Sequence, residues 1–147
     1  MKKITLLLAD DEPQVRRGLR MRLELEPDVR IVGEAGDGST AVQLASELAP
    51  AVVLMDVEMP VLDGIAAAGQ IVARCPATAV VILSMHDDEA TVRRARDAGA
   101  ADFVSKHRMD DSLLDAIRQA ARREGSPAYD NGTSDSSNDQ RSPERRE

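Results

Sequence analysis

The sequence is poor in the residues on which several protein classes depend. It has one cysteine, Cys75, so it has no intrachain disulfide framework and no Cys/His cluster spaced for structural zinc. A lone thiol fits a reducing compartment. Aromatic residues are nearly absent, with one Phe, one Tyr and no Trp, which removes base stacking as a main mode of binding. Positive charge is in deficit, with 19 Lys and Arg against 26 Asp and Glu and a net charge of −7. That balance argues against broad electrostatic binding of nucleic acid by this chain. No apolar run approaches the ~18 residues of a membrane span. The run that follows Met1-Lys2-Lys3 stops at Asp10-Asp11-Glu12, too soon for a signal peptide and without a small-residue cleavage site. The expectation is a soluble, cytoplasmic protein with no membrane association.

What remains is an ordinary globular mixture, 42% hydrophobic and 31% charged over 147 residues, about one domain in size. Composition changes sharply after Glu124. Residues 125–147 contain no Leu, Ile, Val or Met and are dense in Ser, Asn, Asp, Gly and Pro. Such a stretch cannot bury enough apolar surface to offset its ordering entropy. The expected division is a folded domain over 1–124 and a disordered polar linker or tail over 125–147.

Within 1–124, short apolar runs alternate with segments of helical period. Residues 4–9 are nearly continuous in apolarity, as a strand covered on both faces should be. Asp11 can cap a helix with Pro13 in its first turn. Val15, Leu19 and Leu23 then share a face, and Arg16, Arg17, Arg20 and Arg22 give the helix a basic exposed side. Residues 29–35 read as a second strand, followed by a helix opened by Ser39-Thr40 and stopped by Pro50. Residues 51–55 form a third strand ending at Asp56, and a helix follows Asp63-Gly64 as far as about Arg74. Residues 79–83 form a fourth strand ending at Ser84, and a helix over 88–98 stops at Gly99. Residues 101–105 form a short fifth strand ending at Lys106, and a helix over 109–123 turns Leu113, Leu114, Ile117 and Ala121 inward. Strands that alternate with helices in this way predict an α/β fold, a parallel sheet with helices on both faces.

Open sheets of this kind bind ligands beyond the C-terminal ends of their strands. Those ends carry Asp10 and Asp11, then Asp56, Ser84 and Lys106. Three carboxylates at close range repel one another and need a cation or a proton. Their hard oxygens suit Mg²⁺. Lys106 can pair with phosphate oxygens, Ser84 can hydrogen-bond to a phosphoryl oxygen, and one carboxylate can act as a nucleophile that forms an acyl phosphate.

These residues resemble the receiver domain of bacterial two-component response regulators, of the NarL/LuxR type. The motifs are Leu8-Ala9-Asp10-Asp11-Glu12-Pro13, the segment from Asp56 through Glu58-Met59-Pro60 to Asp63-Gly64, Ser84, and Phe103-Val104-Ser105-Lys106. The resemblance covers residues 4 to about 123. It implies a flavodoxin-like (βα)5 doubly wound sheet of strand order 2-1-3-4-5. It implies that Asp56 takes a phosphoryl group from a phosphohistidine on a sensor histidine kinase and becomes an aspartyl phosphate. By the same resemblance Asp10, Asp11, Asp56 and the backbone carbonyl of Glu58 hold Mg²⁺, and Ser84 and Lys106 bind phosphoryl oxygens. Phe103 is then the switch aromatic that turns inward as Ser84 moves, and phosphorylation biases the face built from helix four, strand five and helix five. A homodimer formed on phosphorylation is possible in such domains. The chain would promote its own phosphorylation and dephosphorylation and would not be a conventional turnover enzyme.

His107 follows Lys106 where the family often has a cis proline. A non-proline cis bond costs ~2.5–4 kcal/mol, so a trans bond is expected. Glu58 and His86 lie two residues beyond Asp56 and Ser84, where both can reach toward attacking water and tune the life of the acyl phosphate. The last six residues, Ser142-Pro143-Glu144-Arg145-Arg146-Glu147, resemble the start of a LuxR-type helix-turn-helix domain. Two expectations stay open: a receiver cut where a DNA-binding domain begins, and a stand-alone receiver that acts through protein contacts. A Mg-dependent phosphatase with an aspartate nucleophile is a further alternative, although Glu58 stands where that class carries a second aspartate. So is an interaction module that has lost phosphorylation, against which the intact acid pair, Asp56 and Lys106 speak.

Overall fold

The structure, a computed structural model, describes residues 2–108 and 110–123. The expected polar tail and the segment 142–147 lie outside the described residues. Five strands alternate with five helices: β1 (Ile4–Ala9), α1 (Pro13–Leu23), β2 (Val29–Ala35), α2 (Gly38–Leu48), β3 (Val52–Asp56), α3 (Gly64–Arg74), β4 (Ala79–Ser84), α4 (Glu89–Asp97), β5 (Asp102–Ser105) and α5 (Asp110–Arg123). A 3₁₀ turn at Lys106–Arg108, which the sequence pattern does not announce, joins β5 to α5. The strands form one parallel sheet in the order β2-β1-β3-β4-β5, the expected flavodoxin-like arrangement. Among the described residues no helix is long and apolar enough to cross a membrane.

The period-two alternation of a strand explains the two cores. Leu6, Leu8, Val52 and Leu54 point to one face of the sheet, where Leu19 and Leu23 of α1 and Leu113, Ile117 and Ala121 of α5 cover them. Leu7, Ala9, Val53 and Met55 point to the other face, beneath Ala41 and Ala45 of α2, Ile65, Ala68 and Ile71 of α3, and Ala95 of α4. Leu6, Leu7 and Leu8 are fully buried, each worth about 1.5–3 kcal/mol of transfer free energy. From Leu6 to Ala9 both faces of β1 are therefore apolar, and the acids begin where the strand leaves the sheet. In α4, Ala95 is the sole buried residue, so this helix is held by far less apolar surface than α3.

Two helix starts differ from expectation. Asp11 does not cap α1. Glu12 occupies the cap position and makes no side-chain cap bond, with Pro13 at the first helical position. The Glu12 amide donates to the carboxylate of Asp10 at 2.9 Å, and Asp11 is exposed. At α2 the cap is Asp37, whose carboxylate accepts from the Thr40 amide at 2.7 Å and from Thr40 Oγ1 at 3.1 Å, so the helix opens at Gly38 and not at Ser39-Thr40.

Candidate functional site: an acidic cluster with one lysine

Strand register brings the first two acids together. Ala9 of β1 lies opposite Met55 of β3, so the next residues, Asp10 and Asp56, leave the sheet side by side. Asp56 in turn faces Leu83, and Ser84 faces Ser105. The rim thus carries Asp10, Asp56, Ser84 and, one residue past β5, Lys106.

Asp10 is almost completely buried and held on several sides. Its amide donates to the carbonyl of Ala35 at 3.0 Å. One carboxylate oxygen accepts from Glu12 N–H, and the other accepts from Lys106 Nζ at 3.1 Å. Lys106 Nζ also lies 3.1 Å from Asp56 Oδ1. The ammonium therefore sits between two carboxylates with its side chain only 12% exposed. One oxygen each from Asp10, Asp11 and Asp56 lie within 4.8 Å of one another.

Burial pushes the Asp56 carboxyl up to about 6, with the charges of Asp10 and Asp11 adding to the effect and Lys106 opposing it. For Lys106, burial alone disfavours the charged form, but Asp56 and Asp10 outweigh it and hold the ammonium above its ordinary value. At neutral pH Asp56 is therefore held ionised against its surroundings, a cost that one lysine only partly relieves. A set of donors made only of carboxylate oxygens matches a hard divalent cation.

The loop after β3 is tightly constrained. Gly64 N–H donates to the carbonyl of Val57 at 2.7 Å, and a Cβ at Gly64 would stand 1.8 Å from the carbonyl oxygen of Asp56. Only glycine fits there. Leu62 N–H closes a three-residue turn on Pro60 O at 2.7 Å, with Val61 at its centre at a φ of 70°. A β-branched residue in the left-handed region is strained, and the strain lies on the loop that leads away from Asp56.

Ser84 is buried, and its hydroxyl oxygen accepts from the His86 amide at 2.9 Å. His86 Nε2 meets Glu58 Oε2 at 2.7 Å across the mouth of the site, both side chains being more than half exposed. A cleft of about 500 Å³ runs from Asp11 past Glu58 and Pro60 to His86, Thr91 and Arg94. Thr91 and Arg94 of α4 are not singled out by sequence reasoning, because the pattern does not say which face of α4 turns to the rim. Phe103 stands apart from the acids. It is half-buried against the core under α4, beside a groove of about 360 Å³ lined by Val92, Ala95 and Arg96. The Lys106–His107 peptide is trans, as expected, like every peptide bond among the described residues.

Asp10 and Asp56 at the ends of β1 and β3, with Lys106 between them, are among the residues on which the receiver resemblance rests, and comparison with known proteins shows that family. Residues 6–118 match the model of the response regulator receiver domain. The chain belongs to the response regulator receiver family. The receiver is 44% identical over 122 residues to the transcriptional regulatory protein YxjL of Bacillus subtilis, covering 83% of this chain and 56% of that protein. It is 40% identical over 121 residues to the transcriptional regulatory protein LiaR of the same organism, covering 82% and 57%. A LuxR-family two-component response regulator from Aurantimonas superposes with a TM-score of 0.77 at 34% identity, covering 81% of this chain and 85% of that one. The receiver is thus of the NarL/LuxR type of two-component response regulator, and the phosphatase alternative is not favoured. The chain spans about half the length of these curated relatives.

The basic side expected for α1 is partly neutralised. Arg16 Nε pairs with Glu34 Oε1 at 3.1 Å, and Arg20 pairs with Glu24 at 3.0 Å and also with Glu34. The reason is the adjacency of α1 to the end of β2, which periodicity along α1 cannot reveal.

Proposed function

We propose that this receiver is a phosphorylation-controlled switch whose acceptor is Asp56. The observation that carries the reading is the acid cluster of Asp10, Asp11 and Asp56, with Lys106 Nζ 3.1 Å from both Asp10 and Asp56. The donor is a phosphohistidine on a sensor histidine kinase. A carboxylate oxygen of Asp56 attacks phosphorus as the phosphorus–nitrogen bond breaks. The imidazole keeps the bonding pair and takes a proton, and Asp56 becomes an acyl phosphate. The chain's own contribution is position and charge. Burial among acids destabilises the ionised Asp56 and makes it a ready acceptor at neutral pH. Lys106 stands beside the reacting oxygen with a charge that can follow the phosphoryl oxygens, and Ser84 offers its hydroxyl proton to another of them. Asp10, Asp11, Asp56 and the carbonyl of Glu58 would hold Mg²⁺. When bound, that ion supplies the charge that balances the acids against an incoming phosphoryl group.

The output face is α4, β5 and α5. Two observations support it: the thin apolar attachment of α4, and the groove beside Phe103, which gives the ring a second place to pack. A covalent dianion biases such an element only through unequal contacts with its two states. We further propose a cytoplasmic receiver that dimerises on phosphorylation and governs transcription through a DNA-binding domain not contained in residues 1–147. The receiver itself turns over no separate substrate. Incubation with acetyl phosphate and Mg²⁺, followed by intact mass measurement, tests the core of this. The expected result is a single phosphoryl adduct that is absent from Asp56→Ala. An adduct retained in that variant, or steady release of phosphate from many esters, would refute it.

A further inference from the structure

We infer that Arg16 is a positioning residue for the acid pair, holding the Asp10–Asp11 peptide in the orientation that a bound divalent cation requires. This rests on the metal-binding reading above and adds to it the question of what keeps the acids in place. Arg16 lies in the first turns of α1. Its Nη1 donates to the backbone carbonyl of Asp10 at 2.6 Å, and its Nε donates to Glu34 Oε1 at 3.1 Å. The guanidinium therefore spans the gap between the loop that carries the acids and the end of β2. It is itself braced, because the other oxygen of Glu34 is held by Arg20. The Arg16 side chain is 21% exposed, too enclosed for a freely solvated surface arginine.

The Asp10 carbonyl shares a rigid plane with the Asp11 amide. Fixing that oxygen fixes the direction in which the chain leaves β1, and with it the Cα from which the Asp11 carboxylate reaches the cluster. The other anchors of Asp10 act on its amide and its carboxylate. Among the bonds described for Asp10, the one from Arg16 alone acts on the peptide that leads to Asp11. A planar fork suits the task because it donates to two acceptors in fixed geometry, and a lysine ammonium does not.

Position and charge make opposite demands at this residue, which makes the inference testable. By charge alone, a guanidinium beside three carboxylates repels a divalent cation, so its removal should tighten binding. If Arg16 acts by position, its removal should loosen binding, as loss of a group that orients metal ligands does. Mg²⁺ is titrated calorimetrically into the full chain and into Arg16→Met, Arg16→Lys and Arg17→Met. The expected result is about tenfold weaker binding by Arg16→Met and a smaller loss in Arg16→Lys, whose ammonium can still donate to the Asp10 carbonyl although it lacks the fork. Arg17→Met removes a charge from an exposed position on the same helix and should bind as tightly as the unaltered chain, or slightly tighter. With no metal added, the amides of Asp10 and Glu12 should exchange hydrogen faster in Arg16→Met, while amides within β4 keep their protection. The same two measurements on Arg16→Lys serve if Arg16→Met folds poorly. Unchanged or tighter Mg²⁺ binding by both Arg16 variants would overturn the role of Arg16 and leave the metal site intact. Failure of the unaltered chain to bind Mg²⁺, or equal binding by Asp56→Asn, would overturn the site reading and this inference together.

Discussion

Replacing Asp56 with Asn should make the metal-free receiver more stable at neutral pH, although it destroys the acceptor. Asn is nearly isosteric and removes the one charge that the site holds most reluctantly. Burial and the neighbouring acids raise the Asp56 carboxyl from 3.8 to about 6. At about 1.4 kcal/mol per pH unit this corresponds to roughly 3 kcal/mol of destabilisation by the ionised form. The attraction of Lys106 is already contained in that value, but the Asn amide brings its own polar group to be desolvated in the buried site, so the expected net gain is about 1–2 kcal/mol, or about 3–8 °C in Tm for a domain of this size. The folded state binds this proton more tightly than the unfolded chain does. The gain should therefore be absent below about pH 4, grow between pH 4 and 6, and be complete above about pH 7. Mg²⁺ should reverse the order, because it stabilises whichever chain binds it, by about 2.7 kcal/mol at a hundred times its Kd. Thermal melts of both chains from pH 4 to 8, with EDTA and then with Mg²⁺, measure all of this. An Asp56→Asn chain that melts at or below the unaltered chain in EDTA at pH 8, or a gain independent of pH, would refute the reasoning.

Gly64→Ala should cost several kcal/mol and abolish the phosphoryl adduct, since its Cβ would collide with the Asp56 carbonyl at 1.8 Å. Chemical denaturation and intact mass measurement check the two halves of that expectation. Arg118 of α5 grips Asp28 at 2.9 and 3.0 Å and Glu26 at 3.0 Å. The side chains are about a third exposed, so Arg118→Met should cost only about 0.5–1 kcal/mol. The hydrogen bonds from Arg118 hold the Asp28 carboxyl below its usual range. The clamp should therefore act fully above about pH 4 and fade as acid is added through the lowered value, which urea melts of both chains across that range would display. If the Glu58–His86 pair screens the mouth of the site, Glu58→Ala and His86→Ala should each shorten the life of the acyl phosphate severalfold. Unchanged dephosphorylation rates in both would refute that role.

Much of the site is legible from residue order, for a definable reason. Strands buried on both faces must be apolar until they leave the sheet, so the first polar residue after each run marks the rim. That is why Asp10, Asp56, Ser84 and Lys106 can be read off as strand ends. Hydrogen-bond partners are harder, because they depend on what else reaches the same place. Asp11, Asp37, Ser39 and Thr40 are all capable of capping a helix. The choice at α2 goes to Asp37 because residue 38 packs against the carbonyl of Leu62, 1.9 Å from where a Cβ would stand, and only the glycine can open the helix there. Asp11 is no cap because α1 begins one residue later, at Pro13, with Glu12 in the cap position. Arg16 reads from its own helix as one of a row of surface arginines. Its acceptors, Asp10 O and Glu34, include a strand eighteen residues away, which no helical period encodes.

The amino-acid order alone determined the alternation of strands and helices, the side of the sheet each apolar residue takes, and the collection of acids, hydroxyl and lysine at strand ends. All of these follow from local periodicity and from the cost of burying polar groups. Only the tertiary structure decided that Asp10 and Asp56 stand side by side, that Lys106 Nζ lies between them, and that burial lifts Asp56 toward neutrality. Those features depend on register between strands distant in the chain and on the exclusion of water around them. Neither exists until the sheet has formed and its faces are covered.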